Sequence, residues 1–282
     1  MYSNKVRTIL LAGLVIGWGI VFIYFITCPI RGRCPFSPRS EQRIEPAKQS
    51  EAQKLIIEAQ GLLKAREDKK ALVIFENALT IDPANIDALW AETEVLRRSY
   101  KYRESQVILN EVLKRSPKHI PALISLAYIK YKEDKLNEAL KLINQAIRTP
   151  NLNKDDLGLC YTMLGTVNGR RAEKGGLFSK IAYGTQIRGY LLKAKQLAPD
   201  VAEVRLGLGT FYLLAPAIVG GNNLDEAIKE LEYTVKIAPN FATACARLAQ
   251  AYKKKGLPDK YNFYLDKAKE LDPANEALKQ IK

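Results

Sequence analysis

The sequence predicts an all-α protein in which about six helical hairpins stack into a superhelix, preceded by one transmembrane helix. Proline recurs at an interval close to 34 residues, apolar residues recur at helical spacing between these prolines, and an uncharged run of twenty residues lies near the amino terminus. A fixed period of this length is typical of stacked helical repeats. The prolines that close successive units are Pro83, Pro117, Pro150, Pro199, Pro239 and Pro273.

The closing prolines set the length of each unit. Their successive separations are 34, 33, 49, 40 and 34 residues, and the two long intervals contain insertions. Proline lacks the N–H group that a continuing helix needs, so each of these residues marks a helix end. The period therefore predicts six units, of which the fourth and fifth are lengthened.

Within each unit, apolar residues fall on one face of a predicted helix. Ala71, Phe75 and Ala78, for example, are separated by four and then three residues, which places them on one helical face. Such rows allow two helices to approach within about 8–10 Å. The other rows are Leu55/Ala59/Leu62, Leu89/Thr93/Leu96, Ser105/Leu109/Val112, Leu123/Leu126/Ala127/Tyr131, Ala139/Ile143/Ala146, Ile187/Leu191/Ala194 and Ala227/Leu231/Thr234.

A small residue in the first helix, an Ala-x-x-x-[Phe/Leu]-x-x-Ala row in the second helix and a closing proline resemble the tetratricopeptide repeat (TPR). The resemblance covers residues 52–282 and implies a right-handed superhelix of helical hairpins, with a concave face that binds protein or peptide partners. The expected repeats are 52–85, 86–119, 120–151, 158–201, 202–241 and 242–275, followed by a short carboxy-terminal cap.

Ahead of the repeats, the sequence predicts an amino-terminal tail (1–7), a transmembrane helix (8–27) and a proline-containing linker (28–51). Twenty uncharged residues form a helix of roughly 30 Å, the thickness of the hydrocarbon layer. The predicted localisation is therefore a single-pass membrane protein. A cleaved signal peptide and a lipoprotein signal ending at Cys28 are the alternatives.

Two further features of this region remain open in the sequence. Gly13 and Gly17 form a G-x-x-x-G pattern, which predicts a homodimer through the membrane helix unless the spacing is chance. Basic residues after the span favour a cytoplasmic repeat domain, whereas a disulfide between Cys28 and Cys34 would need the oxidising side.

The insertions in the fourth and fifth units are predicted to be lengthened turns around Gly175 and Gly220. Long turns often carry function. The stretch 215–221, Ala-Pro-Ala-Ile-Val-Gly-Gly, also resembles a turn of the T-component lipoproteins of tripartite ATP-independent periplasmic transporters. That likeness implies an alternative function, an extracytoplasmic solute-binding or transport-accessory component. Neither turn has the spacing of a phosphate-binding loop.

Composition argues against catalysis. The chain has one histidine, His119, predicted to be a solvated linker residue, and four cysteines without zinc spacing. No catalytic residue, metal site or cofactor is predicted, so the protein is expected not to be an enzyme. The net charge of +14 is spread along the chain without a nucleic-acid-binding signature, which makes nucleic acid an unlikely partner.

The predicted function is that of a membrane-anchored scaffold that binds a protein or peptide partner, expected to be acidic, through its concave face. The face should be aromatic in the middle and basic at both ends. The predicted groove residues are Trp90, Glu94, Arg97, Arg98, Tyr128, Tyr131, Lys132, Thr162, Thr166, Arg170, Arg247, Gln250, Lys253 and Lys254.

Overall fold

The computed structural model describes residues 46–281. This part of the chain is all-helical, as predicted, and consists of twelve α-helices and two short 3-10 helices without a β-strand. Consecutive helices pair into six hairpins that follow one another along the chain. The α-helices are α1 Pro46–Lys64, α2 Asp68–Ile81, α3 Ile86–Arg98, α4 Tyr102–Arg115, α5 Ile120–Lys132, α6 Leu136–Ile147, α7 Lys154–Lys174, α8 Leu177–Leu197, α9 Ala202–Leu214, α10 Leu224–Ile237, α11 Ala242–Lys255 and α12 Pro258–Leu271.

Two helices begin before the expected boundaries of their repeats. Helix α1 starts at Pro46, inside the stretch expected to be linker, because proline is tolerated in the first helical turn, where its missing N–H has no intrahelical partner. Helix α7 starts at Lys154, four residues before the expected start of the fourth repeat, because the side chain of Asn153 caps it by accepting a hydrogen bond from the Asp156 N–H.

The predicted apolar rows form the contacts between paired helices. Ala71, Phe75 and Ala78 are fully buried, and the buried apolar residues form several clusters along the stack. Close approach in the fourth hairpin depends on Gly158 of α7, since an added Cβ would lie 2.5 Å from the Cβ of Ala198. Small residues on one helix and bulky residues on its partner thus determine how tightly each hairpin closes.

The fourth hairpin corrects one prediction. The insertion was expected to form a long turn around Gly175, but it extends both helices instead, so that α7 and α8 each have 21 residues. Gly175 and Gly176 form a two-residue link between them. A stretch without proline between residues 154 and 197 can remain helical, and the pairing of the two long helices buries apolar side chains such as Val167, Ile187 and Leu191.

The fifth hairpin has the lengthened turn that was predicted. It contains a 3-10 helix, Ala217–Val219, followed by Gly220 in the left-handed region with φ of +86°. Val219 is buried, and its Cγ1 lies 2.6 Å from where a Cβ on Gly184 would be. The turn therefore folds back onto α8, which it can approach closely only because position 184 is glycine.

The predicted localisation is corrected. Across residues 46–281, no helix combines the length and the apolar character needed to cross a membrane, so the described part of the chain does not support the prediction of a single-pass membrane protein. The longest helices are long enough, but charged side chains interrupt them, as Lys180 and Arg188 interrupt α8. The segment predicted as a transmembrane helix (8–27), the tail before it and the proposed dimer contact at Gly13 and Gly17 lie outside the described residues.

Candidate functional site

The turns inside the first three hairpins have the same conformation. Arg66, Tyr100 and Asp134 follow one another at intervals of 34 residues and have φ of 64°, 62° and 63°. This left-handed conformation is uncommon for residues other than glycine. Each side chain reaches a group further along the chain: Arg66 contacts Glu203, Tyr100 contacts Asp272 and Asp134 contacts Lys174. These contacts form across one surface of the stack, which is lined by the first helix of each hairpin (α1, α3, α5, α7, α9 and α11) and by the turns within the hairpins. We call it the inner surface.

Glu94 of α3 is the centre of a buried charge cluster on the inner surface. Its carboxylate accepts hydrogen bonds from the Arg97 Nε at 2.9 Å, the Arg98 Nε at 3.0 Å and the Ser125 hydroxyl at 3.0 Å. Burial would raise the pKa of Glu94, but the charges and hydrogen bonds of the arginines outweigh burial and hold this pKa well below its usual range. Glu94 is therefore an internal counter-ion.

The cluster extends to the opposite side of the inner surface. Arg66 donates to Glu203 of α9 at 2.5 Å, and its guanidinium carbon lies 3.7 Å from the ring centroid of Phe241. Arg98 lies 3.8 Å from the same Glu203 carboxylate and donates to Asp68 at 2.6 Å. Burial, with the charge of Arg98 second, lowers the pKa of Arg66 to about 10. The first two hairpins are thereby linked to the fifth and sixth through side chains.

Two acidic residues after α12 make further contacts across the inner surface. The Tyr100 hydroxyl donates to the Asp272 carboxylate at 2.5 Å, and the Lys132 ammonium donates to Glu276 at 2.5 Å. Burial, and then the hydrogen bond to Asp272, raise the pKa of Tyr100. The carboxy-terminal segment thus presents carboxylates to the second and third hairpins.

Aromatic side chains lie between these contacts, in the middle of the inner surface. The rings of Tyr128 and Tyr131 are 6.1 Å apart. The Arg97 guanidinium carbon lies 4.2 Å from the Tyr128 centroid, and that of Arg170 lies 5.3 Å from the Tyr131 centroid. Arg170 also donates to the Tyr131 hydroxyl at 3.2 Å. Alternating rings and guanidinium groups can hold an extended chain with both apolar and acidic groups.

Several predicted groove residues have other roles. Thr162 is buried, and its hydroxyl donates to the Gly158 carbonyl of its own helix, while that of Thr166 donates to the Thr162 carbonyl. Lys254 donates to the Leu213 carbonyl at 3.1 Å, and Lys253 lies 5.4 Å from the Tyr261 ring centroid on α12. These contacts are made within α7 or with neighbouring helices, whereas Glu94, Arg97, Arg98, Tyr128, Tyr131 and Arg170 are in contact with one another.

The prediction that His119 is a solvated linker residue is wrong. Its Nδ1 caps α5 by accepting from the Ala122 N–H at 3.2 Å, and its Nε2 lies 3.1 Å from Asp87 Oδ1. The hydrogen bond to His119 lowers the pKa of Asp87, against the opposing effect of burial. The His119 ring also lies 6.0 Å from Trp90, whose Nε1 donates to Ser125 at 3.1 Å. His119 and Trp90 thus connect the second and third hairpins.

Sequence reasoning missed several residues of the inner surface, including Arg66, Tyr100, Glu203, Asp272 and Glu276. One signal was available, because Arg66 and Tyr100 occupy the same position of the 34-residue period in successive hairpins. The acidic partners Glu203, Asp272 and Glu276 carry no such signal in the sequence. Only the path of the folded superhelix brings them next to Arg66, Tyr100 and Lys132.

Comparisons with known proteins show the fold. A thermophilic TPR protein of Thermus thermophilus superposes with a TM-score of 0.55 at 21% identity, over 70% of this chain and 96% of that one. The chain has a tetratricopeptide repeat fold. The human IFIT1 dimer gives a TM-score of 0.55 at 18% identity, over 81% of this chain and 51% of that one. The hetero-tetramer Cut9–Hcn1 gives a TM-score of 0.54 at 14% identity, over 82% of this chain and 42% of that one.

Sequence comparisons identify no relative. No protein-family model matches the chain. No curated protein matches it either. The similarity is therefore one of architecture, and the side chains of the inner surface must be interpreted from their own contacts.

Proposed function

We propose that the protein is a non-enzymatic TPR adaptor that holds a protein or peptide partner on its inner surface. The observation that carries this proposal is the row of tyrosines and arginines formed by Tyr128, Tyr131, Arg97 and Arg170. Tyrosine and arginine are the residue types that dominate binding energy at protein interfaces, because they combine a large contact area with polar groups.

The position of this row supports a binding role. Tyr128 and Tyr131 are only partly buried and pack at the margin of the core, between the third and fourth hairpins. In the solved structure of Cut9–Hcn1, a chain with this fold is part of a hetero-tetramer. An extended partner lying along the row would cover both rings and place acidic groups near the arginines.

The turns of the fourth and fifth hairpins do not favour a transport-accessory function. The transport-accessory alternative depended on two long turns that enclose a ligand, but the fourth hairpin has a two-residue link at Gly175 and Gly176. The remaining long turn packs through Val219 onto α8. Neither the short link of the fourth hairpin nor the packed turn of the fifth favours the binding of a small solute.

The proposal is tested with the double substitution Tyr128→Ala and Tyr131→Ala. We expect proteins captured from cell extract by the wild-type chain to be recovered in at least about tenfold lower amount, because central aromatic residues contribute most to interface affinity. Tyr233→Ala is the matched control, since Tyr233 lies on α10 and contacts Asp200 and Arg205. Quantitative mass spectrometry measures recovery, and circular dichroism verifies folding. Equal recovery by all three proteins would contradict the proposal.

A further inference from the structure

We propose that the carboxy-terminal segment, residues 272–281, is autoinhibitory. Its Glu276 carboxylate occupies Lys132 on the inner surface, and an acidic side chain of the partner replaces Glu276 there when the partner binds. The inference rests on the proposed function, because it concerns access to the surface that holds the partner. It follows from the contacts of this segment with two of the predicted groove residues, Lys132 and Gln250.

Lys132 lies beside the tyrosine row. It follows Tyr131 directly on α5 and comes four residues after Tyr128, and residues four apart are neighbours on a helix surface. Its ammonium donates to the Glu276 carboxylate at 2.5 Å, and its side chain is only 13% exposed. A partner that covers the two rings therefore meets a cation that the chain itself already neutralises.

The carboxy-terminal segment is anchored on its other side to the sixth hairpin. The Gln250 side chain of α11 donates to the Gln280 carbonyl at 3.3 Å. Leu278 and Ile281 are partly buried and pack against a buried cluster of small residues from α11 and α12. These contacts keep the segment in place, so that Glu276 remains close to Lys132 until another carboxylate displaces it.

Glu276 can leave Lys132 without disturbing the turn before it. That turn is closed by Asp272, which accepts from the Ala274 N–H at 3.1 Å and from the Asn275 side chain at 3.0 Å. Asp82 makes the same two hydrogen bonds in the turn after the first hairpin. Glu276 follows the turn and is 59% exposed. Because ion pairs with an exposed partner are weak, a partner carboxylate can compete for Lys132.

The inference is tested by removing the internal carboxylate with Glu276→Gln in the full-length protein. Asp266→Asn is the matched control, since it changes the net charge equally at a residue that is 76% exposed and pairs with Lys269 on α12. The probe is a capped pentapeptide in which glutamate alternates with alanine, and its glutamine analogue is the neutral control. NMR signals of the Tyr128 and Tyr131 rings report binding beside Lys132.

We expect Glu276→Gln to bind the acidic peptide about two- to fivefold more tightly than the wild type, which is the range that an exposed ion pair contributes. Asp266→Asn should bind it as the wild type does. The gain should disappear when Lys132→Gln is added to Glu276→Gln, because the cation that binds the peptide is then missing. The glutamine peptide should show no gain with either variant.

Three results would overturn the autoinhibitory role: equal affinity of Glu276→Gln and the wild type, an equal gain in Asp266→Asn, or a gain that persists after Lys132→Gln. Failure of the adaptor function is recognised separately. A partner captured through Tyr128 and Tyr131, without tighter peptide binding by Glu276→Gln, keeps the adaptor function and removes the autoinhibition. Tighter peptide binding without a tyrosine-dependent partner removes the adaptor function, and shows that the Glu276 carboxylate still blocks Lys132.

Discussion

Arg66 in the turn of the first hairpin donates a hydrogen bond of 2.5 Å to Glu203 at the start of α9, 137 residues later in the chain. No helix packing accompanies this contact, since the helices that pack on one another in residues 46–281 belong to the same or neighbouring hairpins. Side chains alone therefore connect the two sides of the inner surface. The separation between these sides should depend on charge more than on the apolar core.

Glu203→Gln should increase the distance between the first and fifth hairpins, because it removes the counter-ion shared by Arg66 and Arg98. Spin labels introduced by Lys69→Cys and Lys236→Cys, with Cys28 and Cys34 replaced by serine, would report the distance by pulsed electron resonance. Glu226→Gln is the control, since within residues 46–281 the Glu226 carboxylate forms an ion pair only with Lys229 on the same helix. An unchanged distance distribution in Glu203→Gln would show that the contact does not set the spacing.

Glu94→Gln should lower the free energy of unfolding by about 3–5 kcal/mol, as is typical when one partner of a buried charge pair is removed. The reason is that Arg97, whose side chain is 13% exposed, would lose its counter-ion, while Arg98, which is 12% exposed, would keep only Asp68 and Glu203 as carboxylate partners. Urea denaturation measures the change. Glu111→Gln removes a solvent-exposed ion pair between residues one helical turn apart. It should lower the free energy of unfolding by at most about 1 kcal/mol. Similar values for both substitutions would contradict a central role for Glu94.

Stability should decrease when the pH falls below the ordinary glutamate pKa of about 4.3. The pKa values of Glu94 and Glu203 are lowered in the folded protein, so the unfolded chain takes up their protons first. The stability that these carboxylates contribute is fully present above the unfolded pKa and is lost as the pH drops toward the folded one. Urea midpoints between pH 6 and 3 should fall less steeply for Glu94→Gln than for the wild type, and parallel curves would rule out this linkage.

Two glycines of α7 should respond in opposite ways to alanine. Gly158→Ala would place a Cβ 2.5 Å from the Cβ of Ala198, and overpacking of this kind typically costs about 1–3 kcal/mol. Gly169→Ala meets no atom within 4 Å and should stabilise the helix by about 0.5–1 kcal/mol. Thermal unfolding distinguishes the two. A destabilised Gly169→Ala protein with an unaffected Gly158→Ala protein would contradict the packing described for the fourth hairpin.

Local patterns were sufficient for the helices and their pairing. The rows such as Ala71, Phe75 and Ala78 lie in the core, because residues three and four apart must share a helical face whatever surrounds them. The limits of the same reasoning appear in the fourth hairpin. Glycines at positions 175 and 176 suggested a long turn, but burial along two long helices extended both of them almost to that pair.

The periodicity of the chain thus accounts for the TPR fold and for the tyrosines and arginines that line its inner surface. The pairing of Arg66 with Glu203, or of Tyr100 with Asp272, could not be inferred in the same way. Those contacts depend on the rotation between successive hairpins, which is small at each step and adds up over three or more of them. This rotation comes from packing angles between helices, so it is determined only when the whole stack is assembled. The same assembly determines which arginines obtain a carboxylate partner and which do not.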